Sequence, residues 1–590
     1  MPDDPPQSFQ QHSRRVYVAA AGMQQGPLTD RPSVGLAQQC LEAAQEALSG
    51  DRGRAEAIEA VYLGTMGVQR GLERGGLDVS HLPNLVRSKL NLPNVRHVET
   101  VTSTSETGAA VFAEAVHDLR QGRFATVLVL AGEQMFSPAG ERAEEAQAIQ
   151  SWIRGIVDGE ECQRYGISML QVGDLLMDHL AWRSGLPEAR WRDILETVTL
   201  DKYALAHGHL RTFVPARERT KGPLTAQQYR DPQRNPLISH WYHREDVCPN
   251  ANGATALLLT TRRELLPAQG VHLALLGLGE SHTKISLRER PLPLAAPVAV
   301  RRALRDLCLD AGIAPGWLAE EPRLCGLLHD AFPAIELCVL LSLAGERGWP
   351  WAIEKLIGAW GHPLGGLSAG GHALGNSGLM QVAHAWQLAT GDARSVDLAS
   401  PALADRMGAL RPGLYLTSSV GSALTRMVMT LLGDVNDPAV SATYAREVAR
   451  QPEAEMRQAL APAHTEADLA EKLEELPPGT ALVVARARMD RAASPDAPAV
   501  HALYAKTLGE PPHLLLALAP RRLPLGSLAR LDLRDGTAWA QGLAGAPLQV
   551  PAAPWSSRVD AALHALRSGR LAARYGNTAG DAGARPAEVP

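Results

Sequence analysis

Short apolar runs alternating with stretches of helical spacing set the rhythm of this chain. Val16–Gly22, Ile58–Gly64 and Ala125–Ala131 are continuous apolar runs, the kind covered on both faces in a parallel sheet. Between them, residues 34–48 and the set Ala109, Phe112, Ala113 and Val116 carry the spacing of amphipathic helices. Residues 136–245 lose the rhythm and read as an inserted cap, with helices near 164–182 and 188–207. Asn252–Leu259 restores a strand, and the layout then starts again. A strand at His272–Gly279 leads to a helix near 296–311, broken by Gly312 and Pro315. The strand Leu324–Asp330 ends in polar residues, where α/β folds keep their chemistry. A helix over Phe332–Leu343 and closing strands at Leu414–Ala423 and Met427–Leu432 complete the unit. The pattern predicts an α/β fold of two similar halves, 15–268 with its cap and 269–436.

Beyond residue 437 the character changes. Residues 440–476 are Ala/Glu-rich and helical until Pro477-Pro478-Gly479 breaks them. Short strands at 481–485, 513–519 and 528–533, set between Pro/Gly turns, predict a small β-rich domain over 437–570, in the manner of a barrel. Residues 1–14 and 571–590 read as flexible tails.

Composition changes this picture mainly by exclusion. The chain of 590 residues is 45% hydrophobic and 21% charged, with a net charge of −5 and no long run of like charge. Neither nucleic acid nor a membrane surface is implied. No apolar run approaches the roughly 20 residues of a spanning helix, and the first fifteen residues lack the apolar core of a secretory signal. The six cysteines form no CxxC pair and no cluster with histidine, so the expectation is reduced thiols in the cytoplasm and no metal site. A basic loop of Arg211, Arg217, Arg219 and Lys221 within the cap is either a phosphate contact or a solvated face.

One stretch stands apart. Residues 361–378, Gly-His-Pro-Leu-Gly-Gly-Leu-Ser-Ala-Gly-Gly-His-Ala-Leu-Gly-Asn-Ser-Gly, combine dense glycine with two histidines. Such backbone can approach a ligand closely. Leu379, Val382, Ala383 and Trp386 then share a helix face, which Gly391 can end. A histidine in a loop just ahead of a helix is placed for proton transfer beside a backbone-lined pocket. The same letters also describe a glycine-rich turn with a surface histidine.

With these segments in order, the chain resembles the thiolase superfamily, and most of all its sterol-carrier-protein type and bacterial thiolase-like branch, over about residues 15–435. The family's nucleophile turn, Cys-x-Ser/Thr-Gly, corresponds to Ser105-Glu-Thr-Gly108, followed by Gly122 and Ala131-Gly-Glu-Gln-Met135. The His-Asp-Cys-Phe motif of the sterol-carrier branch corresponds to His329-Asp-Ala-Phe332, followed by Glu336-Leu337. The Gly-His motif corresponds to Gly365 through Leu379, which places the family histidine at His372. The literal string Gly-His-Pro-Leu-Gly at 361–365 offers His362 instead, but only His372 has the downstream helix at family spacing. The family's last motif, Cys-x-Gly-Gly-Gly, is reduced to Ser419-Val-Gly-Ser-Ala423.

The resemblance implies a five-layered thiolase fold and an acyl-CoA substrate, with no metal or redox cofactor. It assigns catalysis to Ser105 as nucleophile, His372 as base, His329 as a second donor and Ser419 as an orienting group. It assigns the pantetheine arm to the backbone of Gly365, Gly366, Gly370 and Gly371. It implies a homodimer, or a tetramer. The implied reaction is acyl transfer: Claisen condensation, or thiolysis of a 3-oxoacyl-CoA. The departures are as informative. Both family cysteines are serines here, and a serine hydroxyl attacks only if a base removes its proton. The alternative is a thiolase-fold acyl-CoA binder or scaffold subunit that has lost the chemistry, with Ser105 serving as a helix N-cap.

Overall fold

The computed structural model describes residues 15–25, 35–67, 81–135, 159, 164–211, 222–267, 269–286, 297–358, 360–392, 394–410, 412–422, 424–449, 467–475, 480–488, 499–505, 513–534, 537–550, 552–553 and 555–567. The expected tails 1–14 and 571–590, the basic-loop residues Arg217, Arg219 and Lys221, and Cys162 lie outside them.

Nine strands form the main sheet, in the order β3-β2-β4-β5-β1-β6-β9-β8-β7. The first half supplies β1 (Tyr17–Gln25), β2 (Ala60–Gly64), β3 (His97–Val101), β4 (Thr126–Glu133) and β5 (Gly253–Thr260). The second supplies β6 (Leu273–His282), β7 (Leu324–Leu327), β8 (Leu414–Gly421) and β9 (Arg426–Asp434). Read outward from the join, β1-β5-β4-β2-β3 and β6-β9-β8-β7 are the same arrangement, the second lacking its outermost strand. In each, the first and last strands pair antiparallel, and the buried crossover strands run parallel. The join is narrow: β1 meets β6 through Tyr17 and Ala274.

The helices repeat the correspondence. They are α1 (Leu36–Leu48), α2 (Leu82–Lys89), α3 (Thr107–Gln121), α4 (Met169–Ser184), α5 (Glu188–Ala206), α6 (Val298–Ala311), α7 (Pro333–Ala344), α8 (Gly348–Ile357), α9 (Ser377–Thr390), α10 (Pro438–Ala449) and α11 (Ser556–Arg567). α1 covers β1 and β5, and α6 covers β6 and β9. α3 and α9, each feeding the parallel strand that follows, pack on one another between the two halves of the sheet. Helix, half-sheet, paired helices, half-sheet and helix make the five layers that the family resemblance implied. The mechanism of covering is also repeated. A Cβ at Gly22 of β1 would lie 2.1 Å from Ala43 O, and one at Gly279 of β6 would lie 1.9 Å from Ala303 O. Both outer helices therefore sit closer than any side chain would allow.

The cap helices α4 and α5 fall where the spacing put them, and α4 begins with a reciprocal capping box at Ser168 and Gln171. The C-terminal domain is a closed five-stranded barrel of β10 (Thr480–Arg488), β11 (Ala499–Ala505), β12 (His513–Ala519), β13 (Leu528–Arg534) and β14 (Thr537–Gly542), ordered β10-β11-β12-β14-β13. Small side chains fill it, among them Ala481, Ala517, Ala529 and Ala540. The barrel docks on α4: Arg486 donates to both carboxylate oxygens of Asp178 at 3.0 and 3.2 Å, and His179 Nδ1 lies 3.0 Å from Val484 O. α11 returns to the core, where Arg558 pairs with Glu354 at 2.8 Å. Among the described residues no helix is long and apolar enough to cross a membrane.

Candidate active site

Both central helices open with the same two-residue device, Thr107-Gly108 in α3 and Ser377-Gly378 in α9. There they cross. A Cβ at Gly108 would lie 2.7 Å from Leu379 N and 2.9 Å from Gly375 O, and one at Gly378 would lie 2.5 Å from Ala109 N. Glycine at both positions lets the helix N-termini touch, which carries the turns ahead of them to one place. One turn holds Ser105 and the other follows His372. The end of β8 completes the spot, because Ser419 Oγ is 2.8 Å from the Cβ position at Gly378.

His372 is held from both sides. Its N–H donates to Pro249 O at 2.8 Å, its carbonyl accepts from Ala251 N at 3.1 Å, and its Nδ1 lies 2.7 Å from Ser377 Oγ. With Nδ1–H donating to that hydroxyl, Nε2 is the bare basic atom. The ring of His329 meets it edge-on, centroids 5.0 Å apart. The His329 backbone N–H donates to Ser418 Oγ at 3.1 Å, and its Nδ1 has no partner among the described residues. Burial lowers the His329 pKa to about 4. It pushes His372 well below the usual value, with the neighbouring His329 acting in the same direction. Both rings are therefore neutral at pH 7, which suits proton acceptance.

Ser105 is buried in the turn before α3, and its hydroxyl donates to Val420 O at 2.8 Å. Its proton is thus directed at a carbonyl of β8 and not at His372. The structure brings the two imidazoles together and puts Ser105 against the strand that carries Ser419, whose own Oγ has no partner among the described residues. Among the described residues no cysteine replaces the serines: Cys40, Cys248, Cys308, Cys325 and Cys338 are free, and burial pushes the thiols of Cys40 and Cys325 up to about 12.

His362 has a different post. It lies in a fully buried cluster, with Nε2 2.8 Å from Glu336 Oε2 and Nδ1 3.7 Å from Asp330 Oδ2. Lys202, from cap helix α5, reaches the same carboxylates at 2.9 and 3.0 Å. Burial alone would raise Asp330, but His362 and Lys202 hold it far below the usual carboxylate range. Burial opposes the charge on Lys202, yet the two carboxylates raise its pKa overall. Asp330 also accepts from Leu367 N at 2.6 Å and Ser368 Oγ at 2.9 Å, so it ties the glycine-rich loop to the residue next to His329. Sequence reading missed Lys202. The signal was there: it falls in register with Trp191, Leu195, Val198 and Leu205, a lone cation on an apolar stripe.

The glycines expected to hold pantetheine divide. A Cβ at Gly365 would strike Ala206 at 2.6 Å and Lys202 O at 2.7 Å, and one at Gly366 would strike Asp330 Oδ2 at 2.3 Å. On the Cβ side their close approach is to the chain itself. Gly370 has nothing within 4 Å of its Cβ position, and Gly371 adopts φ +91 beside it. Arg211, expected as a phosphate contact or a solvated residue, pairs with Glu46 at 2.9 Å and is bound to Met23 O.

No protein-family model matches this chain, and no curated protein matches its sequence. Solved structures do match in shape. A monomeric SCP2-thiolase-like protein type 1 from Mycobacterium smegmatis aligns with a TM-score of 0.57 at 15% identity, covering 90% of this chain and 99% of that one. An Ltp2–ChsH2(DUF35) aldolase aligns with a TM-score of 0.52 at 14% identity, covering 72% and 98%. The first likeness covers more of this chain than the two halves contain, so it extends into the C-terminal region. Repeated half-sheets, crossed central helices and these likenesses agree on one architecture: the chain has the thiolase fold.

Proposed function

We propose that the chain is a thiolase-like acyltransferase that acts on acyl-CoA through a Ser/His site. The observation that carries the reading is the pair of buried, neutral imidazoles, His329 and His372, 5.0 Å apart at the crossing of the central helices. A protein that only bound a thioester would have no use for two such bases. In this reading pantetheine lies along the backbone of Gly370 and Gly371. Ser105 Oγ releases Val420 O, gives its proton to His372 Nε2 and attacks the thioester carbonyl. CoA leaves as its thiolate, which is protonated from solvent, and the acyl group rests on Ser105 as an ester. The N-terminal N–H groups of α3 and the ring of His329 steady the oxyanion formed on the way. A carbon or sulfur nucleophile then accepts the acyl group. The protein works in the cytoplasm as a dimer, for which β3, one of the two edge strands of the sheet, is a candidate pairing strand.

A second reading rests on the hydrogen bond from Ser105 to Val420 O. If that bond is permanent, the hydroxyl is structural, and the protein binds acyl-CoA as a non-catalytic subunit. Incubation with isotopically labelled acetyl-CoA and longer acyl-CoAs, followed by peptide mass spectrometry, separates the two. The acyltransferase gives an adduct on the peptide containing Ser105, which Ser105→Ala abolishes. CoA binding without any adduct or CoA release, at every chain length, sinks the first reading and supports the second.

A further inference from the structure

α9 is buried between the two halves of the sheet, yet one of its faces is polar. Ser377, Gln381 and His384 fall at i, i+4 and i+7 and so share a face, opposite the stripe of Leu379, Val382, Ala383 and Trp386. Two ends of that face are fixed by contacts. Ser377 Oγ lies 2.7 Å from His372 Nδ1, and the ring of His384 meets that of His209 edge-on at 4.8 Å. Seven residues at 1.5 Å rise place these ends about 10 Å apart along the helix. Between them Gln381 is 3% exposed, and neither its Nε2 nor its Oε1 finds a partner among the described residues. His384 Nε2 is likewise buried and unpartnered. A buried amide left unpaired is costly, so its retention calls for an occupant that can both donate and accept. Water meets that requirement at several sites in succession, as a buried polar row demands.

We infer that the Ser377–Gln381–His384 face of α9 holds a file of ordered water running from His372 to His209 beneath the cap, and that this file carries away the proton His372 takes up. The inference rests on the Ser/His reading above only for its second part. When His372 gains a proton at Nε2, the Nδ1 proton passes to Ser377 Oγ. The serine hydroxyl hands its own proton to the first water, and each water passes one forward. One proton leaves at the His384 end and no charge is stranded between. Gln381 donates to and accepts from the water in the middle and does not itself ionise. Gln381 and His384 are positioning residues here, since they act through water on His372.

A crystal structure at about 1.5 Å resolution tests the first part. Density for water hydrogen-bonded to the Gln381 amide and to His384 Nε2 is expected. Gln381 and His384 paired directly to protein, with no water along the face, overturns the inference. Two variants test the second part. Gln381→Leu removes an amide without a protein partner, so its melting temperature should rise by a few degrees while CoA release from acetyl-CoA falls about tenfold. A residue with a merely structural role would lose stability and activity together. His384→Gly should show a similar fall, reversed by added imidazole. Unchanged CoA release in both variants overturns the relay. If the unmodified protein releases no CoA, the Ser/His reading fails instead, and the water file is judged by the density alone.

Discussion

The two halves share a strand order, a covering helix and a Thr/Ser-Gly opening to the central helix, but they spend their interiors differently. In the N-terminal half, α3 buries Ala109, Ala110, Val111, Phe112, Ala113, Ala115 and Val116, an apolar packing surface. In the C-terminal half, α9 buries Ser377, Gln381 and Gln387 beside its apolar residues, and the segments around it bury His329, Asp330, Glu336, His362 and His372. One half is a scaffold that presents a single turn with Ser105. The other holds the facing imidazoles of His329 and His372 and the buried cluster of Asp330, Glu336 and His362, to which the cap contributes Lys202. The lesson is that a duplicated fold need not duplicate its chemistry. A pair of facing imidazoles and a buried ion cluster can arise in one copy alone.

The sharpest way to break that comparison is to remove the cap's cation. Lys202→Met leaves Asp330 and Glu336 buried beside His362 with no lysine, and unfolding in urea should show a loss of about 3–5 kcal/mol. A loss below about 1 kcal/mol would mean that the cluster is not what binds the cap to the C-terminal half. Next is the crossing that the halves share. Gly378→Ala drives a methyl to 2.5 Å from Ala109 N and should cost about 1–3 kcal/mol. An equal cost from Gly108→Ala would show that the two openings are energetically as well as geometrically paired.

Acid sensitivity should follow the asymmetry. His329 is held at about 4 by burial, below its ordinary value near 6.5. Above pH 6.5 neither the folded nor the unfolded state binds this proton, and its contribution to stability is fully present. Between about 6.5 and 4 only the unfolded state binds it, so stability falls by about 1.4 kcal/mol per pH unit for this group. His372 is lowered in the same direction and adds to the loss. In the N-terminal half, His117 is raised by its hydrogen bond to Glu280, which more than offsets burial, so its contribution is fully present in acid and is lost as pH rises. Hydrogen exchange at pH 5 compared with pH 7 should therefore loosen residues 324–390 before 60–131. Uniform loosening would erase the distinction. The smallest effect is expected at Gly370→Ala, within about 0.5 kcal/mol, since its Cβ enters open space. A large cost there would show that the loop is packed on the side proposed for pantetheine.

The element pattern was readable because burial on both faces leaves continuous apolar runs, as in β4 and β5. Where burial is partial the reading failed. β3, His-Val-Glu-Thr-Val at the sheet edge, is half-buried throughout and reads as a mixed segment. Two barrel strands, β11 and β14, were missed because alanine, histidine and polar residues dilute their pattern. Within the site, the preference for His372 over His362 came from the downstream helix, and the structure gives the two rings separate settings. The partner of Ser105 could not be read from order along the chain, because Val420 is more than three hundred residues away.

Sequence alone determined the two-unit α/β rhythm, the cap, the appended strands and the candidate residues, because periodic burial and turn chemistry are local. Only the tertiary structure decided which of those residues meet. It set His329 against His372, gave His362 and Lys202 to a buried ion cluster, and turned the Ser105 hydroxyl toward β8. Such pairings depend on the crossing of α3 and α9 and on how closely glycines let backbones approach. That distance is a property of packed elements, and no spacing of letters encodes it.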